Sequence, residues 1–174
     1  MISEATLKKA VFFDRDGTLN VDTGYVHNWA NFVWIPGARE AIKLVNEQDY
    51  LVFVVTNQSG IGRGYYNVDA VHALHDRMNA DLAEIAAQID GFEYCPHHPE
   101  EAEPKYLKAC DCRKPAPGMI LKLLEEWQID PAQSLMIGDN DTDVAAAIAA
   151  KVQGHLFSGG NLHDFIAPLL QPTA

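Results

Sequence analysis

A parallel α/β fold is what the sequence predicts, on three observations. Short apolar runs alternate with helical patterns along the chain. One run, Leu51-Val52-Phe53-Val54-Val55, is continuously β-branched or aromatic, as expected of a strand buried on both faces. Polar residues that can do chemistry, Asp14, Thr56 and Asp139, follow directly on three of the runs.

Taken in order, Ala10-Val11-Phe12-Phe13 is a short buried strand ending at Asp14. Pro36-Gly37 opens a helix whose Ala38, Ala41, Ile42 and Val45 share a face. The strand at 51–55 stops at Thr56, and a glycine-punctuated loop runs from Asn57 to Gly64. Asn67 caps a long helix, in which Val68, Val71, Leu74, Met78, Leu82, Ile85 and Ile89 form a core-facing stripe. Phe92-Glu93-Tyr94 is a weaker strand, and a loop rich in Pro and Glu leads to Lys114. Pro117 begins a helix through Trp127. Leu135-Met136-Ile137 is a strand, followed by an alanine-rich helix and a short strand at His155-Leu156-Phe157.

At 174 residues the chain suits one domain with a sizeable core, and a single domain over residues 1–174 is expected. It is 48% apolar and 21% charged, the balance of a folded rather than a disordered chain. Lys and Arg number 13 against 24 Asp and Glu, leaving a formal charge of −11. Such a field repels a nucleic-acid backbone and an anionic bilayer alike. With basic pairs only at Lys8-Lys9 and Arg113-Lys114, neither nucleic acid nor membrane is an expected partner. No basic stretch followed by an apolar core opens the chain, so a cytoplasmic monomer is expected, in a compartment where disulfides are rare.

Four motifs lie at expected strand ends or in loops. Asp14-Arg15-Asp16-Gly17-Thr18 sets two carboxylates where a turn at Gly17 can aim both at one site, and Mg2+ would offset their repulsion. Thr56-Asn57-Gln58-Ser59-Gly60 offers hydroxyl, amide and backbone N–H donors to a phosphoryl group. Arg113-Lys114-Pro115 supplies a planar fork and a point charge, suited to two anionic groups. Gly138-Asp139-x-x-x-Asp143 puts a third carboxylate at a strand end. Each alone also fits an ordinary turn or helix cap. In a parallel sheet, however, ligands bind beyond the carboxyl ends of the strands, so one crevice gathers Asp14, Asp16, Thr56, Asn57 and Asp139.

A second constellation joins Cys95-Pro96-His97-His98 to Cys110-Asp111-Cys112. Three thiols and one imidazole, from His97 or His98, match a closed tetrahedral zinc site. The intervening loop has no hydrophobic periodicity, so a metal clip has something to stabilise.

In this order the four motifs resemble those of the haloacid dehalogenase superfamily. The resemblance implies a three-layer Rossmann-like parallel sheet of that type. It implies that Asp14 attacks phosphorus to form an aspartyl-phosphate, while Asp16 protonates the leaving oxygen and later deprotonates water. Thr56 and Lys114 would hold the transferring phosphoryl, and Asp14, Asp16 and Asp139 would hold Mg2+. The cysteine segment and Gly24-Tyr25-Val26 narrow the likeness, over about residues 10–155, to the zinc-bearing branch without a large cap domain. That branch includes heptose-bisphosphate and histidinol-phosphate phosphatases. By this resemblance Cys95, His97, Cys110 and Cys112 bind zinc in a loop at about 95–112. Asp22, Thr23, Gly24, Tyr25, Asn57, Gln58, Ser59, Arg113 and Asn140 would contact a small phosphorylated sugar, a heptose 1,7-bisphosphate cleaved at C7. One departure stands out: heptose enzymes usually carry Lys where this chain has Asn140, which can hydrogen-bond but adds no charge.

Histidinol phosphate is the alternative substrate. A polynucleotide phosphatase would share the early motifs, but the net charge opposes it. A catalytically silent, zinc-stabilised binding module would have no reason to keep Asp14, Asp16, Thr56, Lys114 and Asp139 together.

Overall fold

The computed structural model describes residues 7–170. Strands β1 (Ala10–Phe13), β2 (Leu51–Asn57), β3 (Gly91–Cys95), β4 (Leu135–Gly138) and β5 (Gln153–Leu156) form one parallel sheet in the order β3-β2-β1-β4-β5. Side chains alternate across it. Val11, Phe13, Val52, Val54, Leu135 and Ile137 enter one apolar core, and Ala10, Phe12, Phe53, Val55 and Met136 the other. All of these are buried, which is why β1 and β2 read as unbroken apolar runs rather than alternating ones.

Helices cover both faces, giving three layers. On the first face lie α1 (Ala38–Glu47), α3 (Val68–Ala83) and α6 (Leu162–Ile166), through Ile42 and Val45, Leu74 and Met78, and Leu162 and Ile166. On the second lie α4 (Gly118–Trp127) and α5 (Asp141–Ala149), through Ile120 and Leu123 and the small Ala146 and Ala147. A one-turn helix, α2 (Ser59–Gly62), stands at the end of β2. The chain starts at the central strand β1, winds out to β2 and β3, then returns to β4 on the other side. The winding therefore reverses between β1 and β4, where a doubly wound sheet opens its ligand crevice.

Several boundaries differ from the sequence expectation. The α3 cap is Asn67, whose side chain accepts from the Ala70 N–H, but the helix ends at Ala83 rather than carrying the stripe through Ile89. The Ala87 N–H turns back to the Leu82 carbonyl, with Ala86 at φ 56°, closing the helix. Ile89 is buried all the same, as part of the approach to β3. Thr56 belongs to β2, whose pairing with β3 extends to Asn57. The last strand begins two residues and ends one residue before its apolar signal, because pairing with β4 sets its register and an edge strand needs little apolar character. The helix α6 was not expected from the pattern.

Candidate active site

The β1/β4 crevice gathers the chemistry. Asp14 follows β1, and its N–H donates to the Ile137 carbonyl of β4 (2.9 Å). Asp139 follows β4. The Lys114 ammonium comes from the far end of the cysteine loop and lies 2.7 Å from both Asp14 Oδ1 and Asp143 Oδ1. Asn57 fixes the lysine's backbone on two sides: its amide donates to the Lys114 carbonyl (3.1 Å) and its Oδ1 accepts the Lys114 N–H (3.0 Å). Gly17, at φ +88°, makes the turn after β1. A Cβ there would fall 2.6 Å from Asp139 Cγ, so glycine is what lets this carboxylate into the crevice.

Asp14, Asp139 and Asp143 offer carboxylate oxygens within 4.8 Å of one another. One ammonium faces these three carboxylates and leaves a surplus of negative charge. Burial pushes the Asp14 carboxyl above its ordinary range even though Lys114 opposes the shift, and burial also raises Asp139. Burial works against the Lys114 charge, but Asp14 and Asp143 outweigh it and hold the ammonium above its usual value. A hard, oxygen-seeking dication fits such a donor set.

The sequence expectation placed Asp16 among the ligands instead of Asp143. The Asp16 side chain stands beside this cluster and is held by partners of its own. Its Oδ1 accepts from Arg15 Nη2 (3.0 Å) and Asn20 Nδ2 (3.0 Å), and its Oδ2 from Gln58 Nε2 (2.9 Å). Asp16 nonetheless lines the same cavity of about 190 Å3 as Asp14, Thr56, Lys114 and Asp139. A second cavity, of about 280 Å3, shares Asp16, Asp22 and Asn57 and continues to Gly24, Tyr25, Gln58 and Ser59. Two larger hollows, about 500 and 560 Å3, are lined by none of the clustered carboxylates or Lys114.

Other expected contacts fall differently. Thr23 is exposed and lines neither cavity. Arg113 also lies outside both, with Nη1 donating to the His97 carbonyl (3.4 Å). Asn140 borders the smaller cavity, but its Oδ1 accepts the Thr142 N–H as the N-cap of α5, while Asp143 Oδ2 accepts the Asn140 N–H. Asn is a strong N-cap, which gives the departure from Lys a local rationale.

Arg15, His75 and Tyr66 were not singled out in the sequence. Arg15 is fully buried; its guanidinium also donates to the Val26 carbonyl and lies 3.3 Å from His75 Nε2. His75 stacks on Phe92 (4.2 Å between ring centroids). Burial, then the Arg15 charge, lowers the His75 pKa to about 3. A folded-state value below the unfolded one means stability that is complete above about pH 6.5 and fades as pH falls towards 3, on the order of a few kcal/mol in all. The His75→Gln variant should accordingly show a flatter acid limb in denaturation midpoints measured between pH 6.5 and 3. An acid limb as steep as that of the unmodified chain would refute this.

The cysteine segment forms a second cluster. Cys95 Sγ lies 3.5 Å from Cys110 Sγ and 3.1 Å from Cys112 Sγ, and Cys110 and Cys112 are 3.4 Å apart, with all three thiols free. His97 Nδ1 completes the set, 3.6 Å from Cys95 Sγ and 3.4 Å from Cys112 Sγ. These separations approach the edges of a zinc–thiolate tetrahedron, about 3.8 Å for bonds of about 2.3 Å, so the donors fit zinc. His98 is turned away, its Nδ1 accepting from the Glu100 and Glu101 N–H groups. The cluster is tied to the crevice: the Gln58 N–H donates to the Cys95 carbonyl (2.8 Å), and Cys112 is two residues from Lys114.

The HAD-hydrolase-like family model matches residues 111–165. The chain is 48% identical over 147 residues to the D-glycero-beta-D-manno-heptose-1,7-bisphosphate 7-phosphatase of Haemophilus influenzae, covering 84% of this chain and 79% of that protein. It is 42% identical over 170 residues to the enzyme of the same name from Rhodopseudomonas palustris, covering 98% and 94%. Among solved structures it is similar to a D,D-heptose 1,7-bisphosphate phosphatase from B. bronchiseptica complexed with magnesium and phosphate. That likeness has a TM-score of 0.79 at 32% identity, covering 92% of this chain and 86% of the other.

Proposed function

The chain belongs to the D-glycero-β-D-manno-heptose-1,7-bisphosphate 7-phosphatase family of HAD-like phosphomonoesterases, and from that premise we propose that it removes the C7 phosphate of a heptose 1,7-bisphosphate through an aspartyl-phosphate, with Mg2+. The observation that carries this is Lys114, buried between Asp14 and Asp143 at the point where the sheet reverses its winding.

Asp14 attacks phosphorus: an Asp14–O–P bond forms and the bond from phosphorus to the C7 oxygen breaks. Asp16 gives its proton to that departing oxygen. It then takes a proton from the water that attacks the aspartyl-phosphate, which releases inorganic phosphate and restores Asp14. Lys114 and the Thr56 hydroxyl hold the transferring oxygens, and Asn57 keeps Lys114 in place. Asp14, Asp139 and Asp143 would hold Mg2+, which supplies positive charge against the developing negative charge when bound. Cys95, His97, Cys110 and Cys112 would hold a structural Zn2+. The neighbouring cavity, bordered by Asp22, Gly24, Tyr25 and Ser59, receives the sugar.

The setting we propose is a cytoplasmic monomer; no helix among the described residues is long and apolar enough to cross a membrane. Phosphate release from the two heptose 1,7-bisphosphate anomers and from histidinol phosphate tests the substrate. One heptose anomer is expected to be strongly preferred, and equal cleavage of histidinol phosphate would overturn the heptose assignment while leaving a phosphatase. Arg113, whose guanidinium rests on the His97 carbonyl outside both cavities, is the proposed partner of the phosphate that stays on the sugar, reached by a swing of its side chain. Arg113→Ala should lower kcat/KM for the bisphosphate roughly ten- to a hundredfold, the loss of a charge-assisted contact worth about 1.5–3 kcal/mol. A small monophosphate should be nearly unaffected by it. An equal fall on both substrates would remove Arg113 from this role.

A further inference from the structure

We infer that Tyr66 is a positioning residue for the acid/base Asp16, acting through Gln58. The inference rests on the phosphatase reading above. The Tyr66 hydroxyl donates to Gln58 Oε1 (2.5 Å); the orientation of the amide is fixed at its other end, where an ionised carboxylate can only accept. Gln58 Nε2 must then point the other way, where it donates to Asp16 Oδ2 (2.9 Å) and Thr56 Oγ1 (2.9 Å). Arg15 and Asn20 hold Oδ1 from the opposite side. The carboxylate is thus gripped at both oxygens before any substrate arrives.

The strut is built into the backbone. A Cβ at Gly60 would lie 2.6 Å from the Tyr66 hydroxyl oxygen and closer still to its ring, so a glycine there is what allows the phenol to cross α2 and reach Gln58. His27 stacks on the Tyr66 ring (4.7 Å between centroids, planes 9° apart). Burial raises the Tyr66 hydroxyl to about 12, so it stays protonated and able to donate. Gln58 itself is only 2% exposed, with both ends of its amide engaged by the protein. It serves Asp16 rather than the sugar. Tyr66 borders the sugar cavity, so a direct substrate contact is the rival role.

Tyr66→Phe removes the hydroxyl and leaves the ring in place. Two phosphate esters distinguish the roles. The sugar oxygen of heptose 1,7-bisphosphate is a strongly basic leaving group that needs a proton from Asp16, whereas the nitrophenolate of p-nitrophenyl phosphate departs without one. For the sugar ester, kcat and kcat/KM should fall roughly tenfold, part of the ~10²–10⁴ that a positioned acid contributes, with KM and melting temperature unchanged. For p-nitrophenyl phosphate, kcat/KM should stay within about twofold, because no acid is needed in that step. An equal loss on both esters, a raised KM with kcat intact, or no change at all would each overturn the inference. If the unmodified enzyme released phosphate from neither ester, the phosphatase reading would fall and this inference with it; an active enzyme indifferent to Tyr66→Phe would overturn the inference alone.

Discussion

The Asp14→Asn variant is expected to lose turnover by a factor on the order of 10⁴ or more while keeping its fold. Asn is nearly isosteric but cannot attack phosphorus, so the covalent route closes. The fold should survive because Lys114 keeps its 2.7 Å ion pair with Asp143. Stability should even hold or rise. Burial raises the Asp14 pKa, which means that the folded chain disfavours this ionised group above its unfolded value, and a neutral amide removes that penalty. Phosphate release and a melting curve on the same preparation check both halves. Turnover near that of the unmodified enzyme would sink the aspartyl-phosphate, and a collapsed melting temperature would mean that Asp14 is needed for folding.

The features legible in the sequence are those that a short stretch decides by itself. Val52 to Val55 and Ala10 to Phe13 have to be apolar throughout because helices cover both faces of their strands, so the strands announce themselves. Asp14 and Asp139 are legible because each directly ends such a run. What was hidden depends on partners distant in the chain. Arg15 sits between two acids and reads as a surface charge, yet it is fully buried, and its neighbour His75 lies 60 residues on. Asp143 is a helix cap by its spacing, and only Lys114, folded back over it, shows its second role. Asn57 and Gln58 have the chemistry of substrate donors, but each is taken up by a neighbour in the crevice, Lys114 or Asp16. The α3 stripe misled for the opposite reason, since Ile89 kept the helical spacing after the helix had closed at Ala83.

Purified protein should contain one zinc per chain, and Cys110→Ser should lose it. The loop from 95 to 112 has little regular structure and few buried apolar side chains, so its order depends on the four-donor cluster. In small peptides a structural zinc contributes about 10–16 kcal/mol of apparent folding energy. Here the sheet folds around its own cores, so only the part spent on the loop is lost, roughly a third of that figure or about 3–5 kcal/mol. At ~2–4 °C per kcal/mol for a chain of this size, the melting temperature should fall by roughly 6–20 °C. Activity should fall indirectly. Lys114 follows Cys112 by two residues, and the Gln58 N–H is bonded to the Cys95 carbonyl, so a loosened loop unsettles both the ammonium and the Asp16 strut. A chelator removes both metals, which allows their roles to be separated by adding each back. Mg2+ alone should leave chelated enzyme impaired and thermolabile, because hard cations do not replace zinc on thiolates; Zn2+ followed by Mg2+ should restore it. Full recovery with Mg2+ alone, or thiols that titrate freely in the native protein as isolated, would show that the cluster carries no structural metal.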